Sequence, residues 1–352
     1  MRVVVLCRKL NGRPTDGFER YSNDLVTGLR GRVEVVLPNQ DAPGNIPPSG
    51  SFISPLFYDI AHPIWEILRG RMKADVFHAV TDAQAIIFPW LRGKKVLTMH
   101  HVDKTAPDSI PETIFRTFFG IGTRIGLRQA DTIICVSSQT KKEVMERYGV
   151  PASRLVVVPH AIADKFRPLP EVRKKNAIGY IGAFKRRKNL EHLVRAFDLH
   201  VRSCPQSELE LVLCGDGTDR DRLEALVGEL GLAGRVELRG PVPEDKLVET
   251  YNSFSMLAMT SYQEGFGLPI IEAQACGVPV LTVEGAMIPE EVIRATVKCK
   301  GLEDMAMWMD RLQNDREARG KVIAAGLAHA ATFSVDRMTE ATASVYAQTL
   351  KE

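Results

Sequence analysis

Short β-branched runs separated by segments of helix length recur along the whole chain, and that alternation is the pattern of parallel sheets flanked by helices. In the first half the runs are 2–6 (RVVVL), 33–37 (VEVVL), 74–79 (ADVFHA), 94–99 (KKVLTM), 131–136 (DTIICV) and 154–159 (RLVVVP). In the second they are 177–182 (AIGYIG), 209–215 (LELVLCG), 235–240 (RVELRG), 255–260 (SMLAMT) and 278–283 (VPVLTV). Each series is enough for a sheet of its own, and 352 residues exceed what one hydrophobic core ordinarily serves. The expected fold is therefore α/β, with two doubly wound Rossmann-like domains facing a cleft. The first domain is expected over 1–165 and the second over 166–334. The linker falls in 160–176, where two prolines and a basic cluster break all periodicity. Helix-like segments at 302–314, 316–332 and 335–350 end the chain, and 335–352 is expected as a C-terminal helix packing back on the N-terminal domain.

Composition removes several classes. No uninterrupted apolar run approaches the ~18 residues of a membrane span, and the start has no signal-peptide pattern, so a cytoplasmic chain is expected. Six cysteines stand without any Cys-x-x-Cys, and Cys7, Cys135 and Cys214 lie in apolar runs, which reads as reduced core thiols. Residues 1–170 hold 23 Lys+Arg against 16 Asp+Glu, and the remainder 23 against 27. This asymmetry fits either ordinary solvated charge or a basic half that approaches an anionic surface. There is no Walker A pattern, and LCRKLNGRPTDG follows the first strand where a dinucleotide fingerprint would stand, which disfavours a Rossmann-type oxidoreductase. The stretch 215–221 (GDGTDRD) reads as a turn and helix cap, not a metal site.

Two loops carry the chemistry. In 260–277 (TSYQEGFGLPIIEAQACG) a strand ends, Gly265 and Gly267 favour a sharp turn, Pro269 suits a first helical turn, and Gly277 suits a stop. A helix start at the carboxyl end of a parallel strand offers free amides and partial positive charge to a phosphate or sugar oxygen. Glu264 lies in the turn and Glu272 about one turn into the helix. Read locally, both fit solvated charge or caps as readily as ligands for paired hydroxyls. The stretch 180–197 (YIGAFKRRKNLEHLVRAF) repeats the grammar: Lys185, Arg186, Arg187 and Lys188 precede a helix that Asn189 can cap and whose apolar stripe is Leu190, Leu193, Val194 and Phe197.

These residues resemble the retaining glycosyltransferases of family 4, which have the two-domain GT-B fold. The spacing Glu264-x7-Glu272 within EGFGLPIIEAQACGVPV is similar to the family signature. Five further segments follow in the family's order: GFERYSNDL (17–25), VLTMHH (96–101), ADTIICVSSQTKKEV (130–144), GYIGAFKRRKNLEHLVRAF (179–197) and VELRGPVPEDKLVETY (236–251). The resemblance implies transfer of a mannose- or glucose-type hexose from a nucleotide diphosphate sugar to a hydroxyl of a glycan or lipid-linked acceptor, with no metal or other cofactor and no nucleic-acid partner. It implies that Glu264 holds sugar hydroxyls, that the backbone of Gly265, Phe266, Gly267 and Leu268 contacts sugar and diphosphate, and that Glu272 takes the ribose. Lys188 would contact the diphosphate, Gly240 to Val242 would line the base pocket, Gly17 would admit the diphosphate, and His100 would lie beside the transferred sugar, with His101 as its confounder.

Departures from the family pattern are Ala183 where an arginine is frequent, His160-Ala161 for Asn-Gly, and Asp16-Gly17 for Gly-Gly. Arg187, beside Lys188, is preferred over Arg186 as the replacement charge. The segment 111–129 (PETIFRTFFGIGTRIGLRQ) reads either as a core helix weakened by Gly120, Gly122 and Gly126 or as an interfacial helix. The second reading implies peripheral contact with an anionic membrane at the inner face. The alternative to an enzyme is a catalytically silent nucleotide-sugar binding protein.

Overall fold

The computed structural model describes residues 1–7, 10, 17–39, 61–70, 72–102 and 110–352, with backbone only at 68 and 110–119. Two compact units form, Met1–Ala161 joined by Val335–Glu352, and Ile162–Ser334. In the first unit β1 (Arg2–Leu6), β2 (Glu34–Val36), β3 (Val76–Ala79), β4 (Lys94–Met99), β5 (Thr132–Cys135) and β6 (Leu155–Val157) make one parallel sheet in the order β2-β1-β3-β4-β5-β6. In the second, β7 (Ala177–Ile181), β8 (Glu210–Cys214), β9 (Val236–Arg239), β10 (Met256–Met259), β11 (Val280–Val283) and β12 (Val297–Cys299) make another, in the order β12-β11-β10-β7-β8-β9.

All eleven expected runs are strands. The twelfth, β12, was not expected: it is a three-residue edge strand with Lys298 at its centre, too short and too polar to register as a run. Parallel strands covered on both faces are apolar on both faces. Accordingly Val3 and Val5 enter a cluster with Tyr21, Leu25 and Tyr346, while Val4 and Leu6 enter another with Phe77, Ile87 and Phe88. The helix Val335–Lys351 belongs to the first unit: Val345 and Tyr346 join the Val3/Val5 cluster, and Thr349 hydrogen-bonds Thr132 at 2.8 Å.

The stretch read as a core or interfacial helix runs as the helix Ile110–Gln129. Two of its glycines admit a neighbour, while Gly120 faces open space. A Cβ on Gly122 would lie 2.5 Å from the Asp82 carbonyl oxygen, and one on Gly126 would lie 2.7 Å from Ala85 Cβ, so the 3₁₀ helix Asp82–Trp90 packs directly on that backbone. Leu127 is buried and Ile121 exposed, while Ile114, Phe115, Phe118 and Phe119 fall outside the described side chains. Among the described residues no helix is long and apolar enough to cross a membrane. Asp219 does not cap its helix by side chain. The turn itself is present, with Asp219 at the N-cap position, and within it Asp216 accepts from the Gly217 amide at 2.9 Å and from Arg220 at 2.8 Å.

Candidate functional site

In the second unit β7 lies between β8 and β10, so the chain winds one way from β7 through β8 to β9 and the other way through β10 to β12. Ligands of open α/β sheets bind at the carboxyl ends of the strands where the winding reverses. The loops after β7 and β10 meet there. Hydrogen bonds bind them to each other: the Tyr262 amide donates to the Arg187 carbonyl at 2.9 Å, and the Thr260 hydroxyl lies 3.1 and 3.0 Å from the carbonyl oxygens of Lys188 and Asn189. A third segment joins them, the Glu264 amide donating to the Met287 carbonyl at 3.0 Å.

Lys188 closes the 3₁₀ turn Arg186–Lys188, and the helix Leu190–Ser203 starts after Asn189. Asn189 does not cap that helix through its side chain. Its backbone is left-handed at φ 52°, a region that asparagine tolerates, and it serves to reverse the chain between the two helices. Leu190, Leu193, Val194 and Phe197 are all buried, as their spacing requires. On the other loop Gly267 adopts φ +101°, where a β-carbon is strained, and the helix Leu268–Ala275 starts from it with Pro269 in its first turn. Phe266 is buried, edge-on to Phe333 at 5.7 Å, and Gly277 ends the helix at φ +67°.

These loops place a buried carboxylate among cations. Glu264 Oε1 lies 2.5 Å from Lys188 Nζ and 2.6 Å from Ser261 Oγ, while its Oε2 lies 3.3 Å from Arg187 Nη1. Glu264 and Lys188 side chains are 8% and 11% exposed, which leaves little water to screen them, whereas Arg187 is 44% exposed. Burial alone would raise the Glu264 carboxyl. The charges of Lys188 and Arg187 and the hydrogen bonds of Lys188 and Ser261 outweigh it and hold the group below the usual carboxylate range. Burial lowers the Lys188 ammonium, and the attraction of Glu264 opposes that shift.

Glu272, also buried, accepts from the fully buried Tyr251 hydroxyl at 2.7 Å. A concavity of about 360 Å³ lies at the end of β9, lined by Gly240, Pro241, Val242, Pro243, Lys246 and Thr250 together with Cys214 and Arg239. Neither Glu264, Glu272 nor Lys188 lines it. At Ala183 the carbonyl accepts from the buried Tyr180 hydroxyl at 3.0 Å, and of the two arginines weighed for the missing charge, Arg187 is the one paired with Glu264.

The first unit gathers a different set. His100, at the end of β4, has both ring nitrogens engaged: Nε2 donates to the Val80 carbonyl at 2.7 Å, which leaves Nδ1 to accept from His160 Nε2 at 3.1 Å. Phe18 and Tyr21 stand edge-on to the ring at 4.9 and 4.8 Å. Behind it His78 bonds Tyr346 at 2.6 Å and Thr98 at 2.7 Å, and Tyr21 bonds Thr98 at 3.1 Å. Burial pushes His100 and His78 down to about 3 and His160 well below its ordinary value, and pushes Tyr21 up to about 12. The cluster is neutral at pH 7. His101, by contrast, is exposed. Gly17 opens the exposed N-terminus of the helix Gly17–Leu29, and Asp16 lies outside the described residues.

The family described as Glycosyltransferase Family 4 matches residues 3–166, and that described as Glycosyl transferases group 1 matches 162–328. O-antigen chain mannosyltransferase B of Escherichia coli is 30% identical over 268 residues, 72% of this chain and 70% of that protein. The chain belongs to glycosyltransferase family 4. The chain is also 30% identical over 240 residues to D-inositol 3-phosphate glycosyltransferase of Corynebacterium jeikeium, covering 62% of the chain but 57% of that relative. It thus spans about three-fifths of the length of such relatives.

Solved structures share its fold. HepE of Anabaena, in complex with UDP and glucose, superposes at TM-score 0.72 with 18% identity over 99% of this chain and 100% of that one. Sucrose-phosphate synthase of Thermosynechococcus elongatus superposes at 0.76 with 20% identity over 99% and 98%. The chain therefore has the GT-B fold of two Rossmann-like units.

Within its second unit the chain brings together Lys188, Arg187 and Glu264. Ser261 and Tyr251 were missed by sequence reasoning. Ser261 stands three residues before Glu264 and could have been noticed; Tyr251 reaches Glu272 from a separate helix, Leu247–Ser253, and leaves no linear signal. His160 was noted only as a departure, yet it is the partner of His100. Among the described residues the one group of three ligands close enough for a metal is His200, Cys204 and Asp310, which includes none of the residues above.

Proposed function

We propose that this family 4 chain is a retaining hexosyltransferase that moves a mannose- or glucose-type sugar from UDP or GDP to a hydroxyl of a glycan or lipid-linked acceptor without a metal ion. The observation that carries this reading is the buried Glu264 carboxylate between Lys188, Arg187 and Ser261 at the reversal point of a parallel sheet. Lys188 and Arg187 offer the diphosphate fixed positive charge, strongest where water is excluded. Lys188 then stabilises the charge that grows on the departing phosphate, the task a divalent ion performs elsewhere. Glu264 accepts sugar hydroxyls, and Glu272, oriented by Tyr251, accepts the ribose hydroxyls. The concavity at Gly240 and Val242 takes the base, while the backbone of Gly265 to Leu268 follows the diphosphate.

On this reading the acceptor oxygen bonds the anomeric carbon as the bond from that carbon to the β-phosphate oxygen breaks. The attack is on the face the nucleotide leaves, and the acceptor's proton passes to the departing phosphate oxygen. The similarity to a mannosyltransferase supports the hexose, and the HepE complex with UDP and glucose supports a nucleotide of this kind. Purified protein is expected to be stabilised in a thermal-shift screen by UDP or GDP and to release sugar slowly from the matching donor in excess chelator. Loss of that release on chelation contradicts the metal-free step, and stabilisation by NAD alone contradicts the whole reading.

A further inference from the structure

We propose that Glu264 discriminates a sugar-bearing donor from the bare nucleoside diphosphate by holding the diphosphate's own cations until sugar hydroxyls take their place. The inference rests on the reading of Lys188 and Arg187 as the diphosphate cations. Both oxygens of Glu264 are engaged by protein groups, Oε1 by Lys188 and Ser261 and Oε2 by Arg187. A diphosphate that binds Lys188 and Arg187 competes with Glu264 for the same two cations. A buried carboxylate stripped of its partners is costly, and a second anion beside it adds like-charge repulsion.

The carboxylate has no easy escape. The backbone that carries it is fixed by the Tyr262 amide to Arg187 and by the Glu264 amide to Met287, and turning its side chain away forfeits the bonds to Lys188, Ser261 and Arg187 together. A sugar attached to the β-phosphate brings hydroxyls to replace the lost donors. Bare diphosphate brings only charge. The same ion pair thus opposes the product nucleotide and favours its exchange for fresh donor.

The test is the affinity of UDP, UDP-glucose, GDP and GDP-mannose for the wild type, Glu264→Gln and Glu264→Asp, measured by calorimetry. Glu264→Gln is expected to bind the bare diphosphate about tenfold more tightly and its sugar nucleotide more weakly, because the like charge is gone and the hydroxyl acceptor is poorer. Glu264→Asp keeps the charge and the wild-type order of affinities. Should Glu264→Gln not fold, Ser261→Ala gives the opposite sign: the carboxylate then depends more on Lys188, and bare diphosphate binds a few-fold more weakly.

Equal weakening of both ligands in Glu264→Gln, or an unchanged ratio in either Glu264→Gln or Ser261→Ala, overturns the discrimination and leaves the donor site standing. A wild type that binds none of the four ligands overturns both.

Discussion

The two units are built on the same kind of parallel sheet and treat burial in opposite ways at the ends of its strands. In the second unit, charge is kept inside by pairing: Glu264 stays ionised because Lys188 and Arg187 stand against it. In the first, the titratable groups stay inside by remaining neutral, and His78, His100 and His160 share hydrogen bonds with Thr98, Tyr346 and the Val80 carbonyl instead of counter-ions. A charged edge suits a diphosphate. A neutral edge suits hydroxyl-bearing groups, which need orientation more than charge. The contrast gives each unit its own response to mutation and pH.

The largest expected effect follows from removing the charge that defines the second edge. Lys188→Ala is expected to lower donor turnover by ~10²–10³, the loss seen when one preorganised group opposite developing charge is deleted. It also leaves Glu264 with a weaker set of partners, so the melting temperature falls, and circular dichroism must show the fold retained. Turnover within a few-fold of wild type breaks the contrast.

The first edge is tested by acid. His78 and His100 titrate near 3 in the folded protein and near 6.5 when unfolded, so between those values the unfolded chain binds more protons. The stability that neutral burial contributes is fully present above about 6.5 and is lost as pH falls toward 3, at about 1.4 kcal/mol per pH unit for each histidine. The depressed Glu264 gives stability that is lost only as pH falls below the ordinary carboxylate value. Urea midpoints between pH 7 and 5 should therefore decline, and limited proteolysis should find the first cuts in the first unit. A flat profile over that range contradicts the neutral cluster.

Glu272→Gln is expected to weaken nucleotide binding by about 1–2 kcal/mol while Tyr251 keeps its bond to the remaining oxygen, which calorimetry with UDP and GDP can read. The smallest effect belongs to Arg187→Met. An arginine this exposed adds no more than about 1 kcal/mol to stability through its pair with Glu264, so its melting temperature should move little even though donor affinity falls.

The fold was largely legible because β-branched runs at regular spacing report sheet strands directly. Only β12 escaped, its Lys298 and its three-residue length hiding it. The site was legible in parts. Glu264, Glu272 and Lys188 stood out by their loops, but the Lys188–Glu264 pair joins residues 76 positions apart, and no local pattern announces that they neutralise each other. Asn189 misled for a related reason: a cap and a left-handed reversal draw on the same residue types, and the backbone angle decides between them. Tyr251 and His160 act only through neighbours brought by the fold.

The central claim, that the Lys188–Glu264 loop pair holds a nucleotide diphosphate sugar, is tested most directly by sugar release from UDP-glucose and GDP-mannose in the wild type and in Glu264→Gln. Release from one donor by the wild type, with loss of most of that rate in a folded variant, is the predicted result. An equal rate in the variant contradicts it.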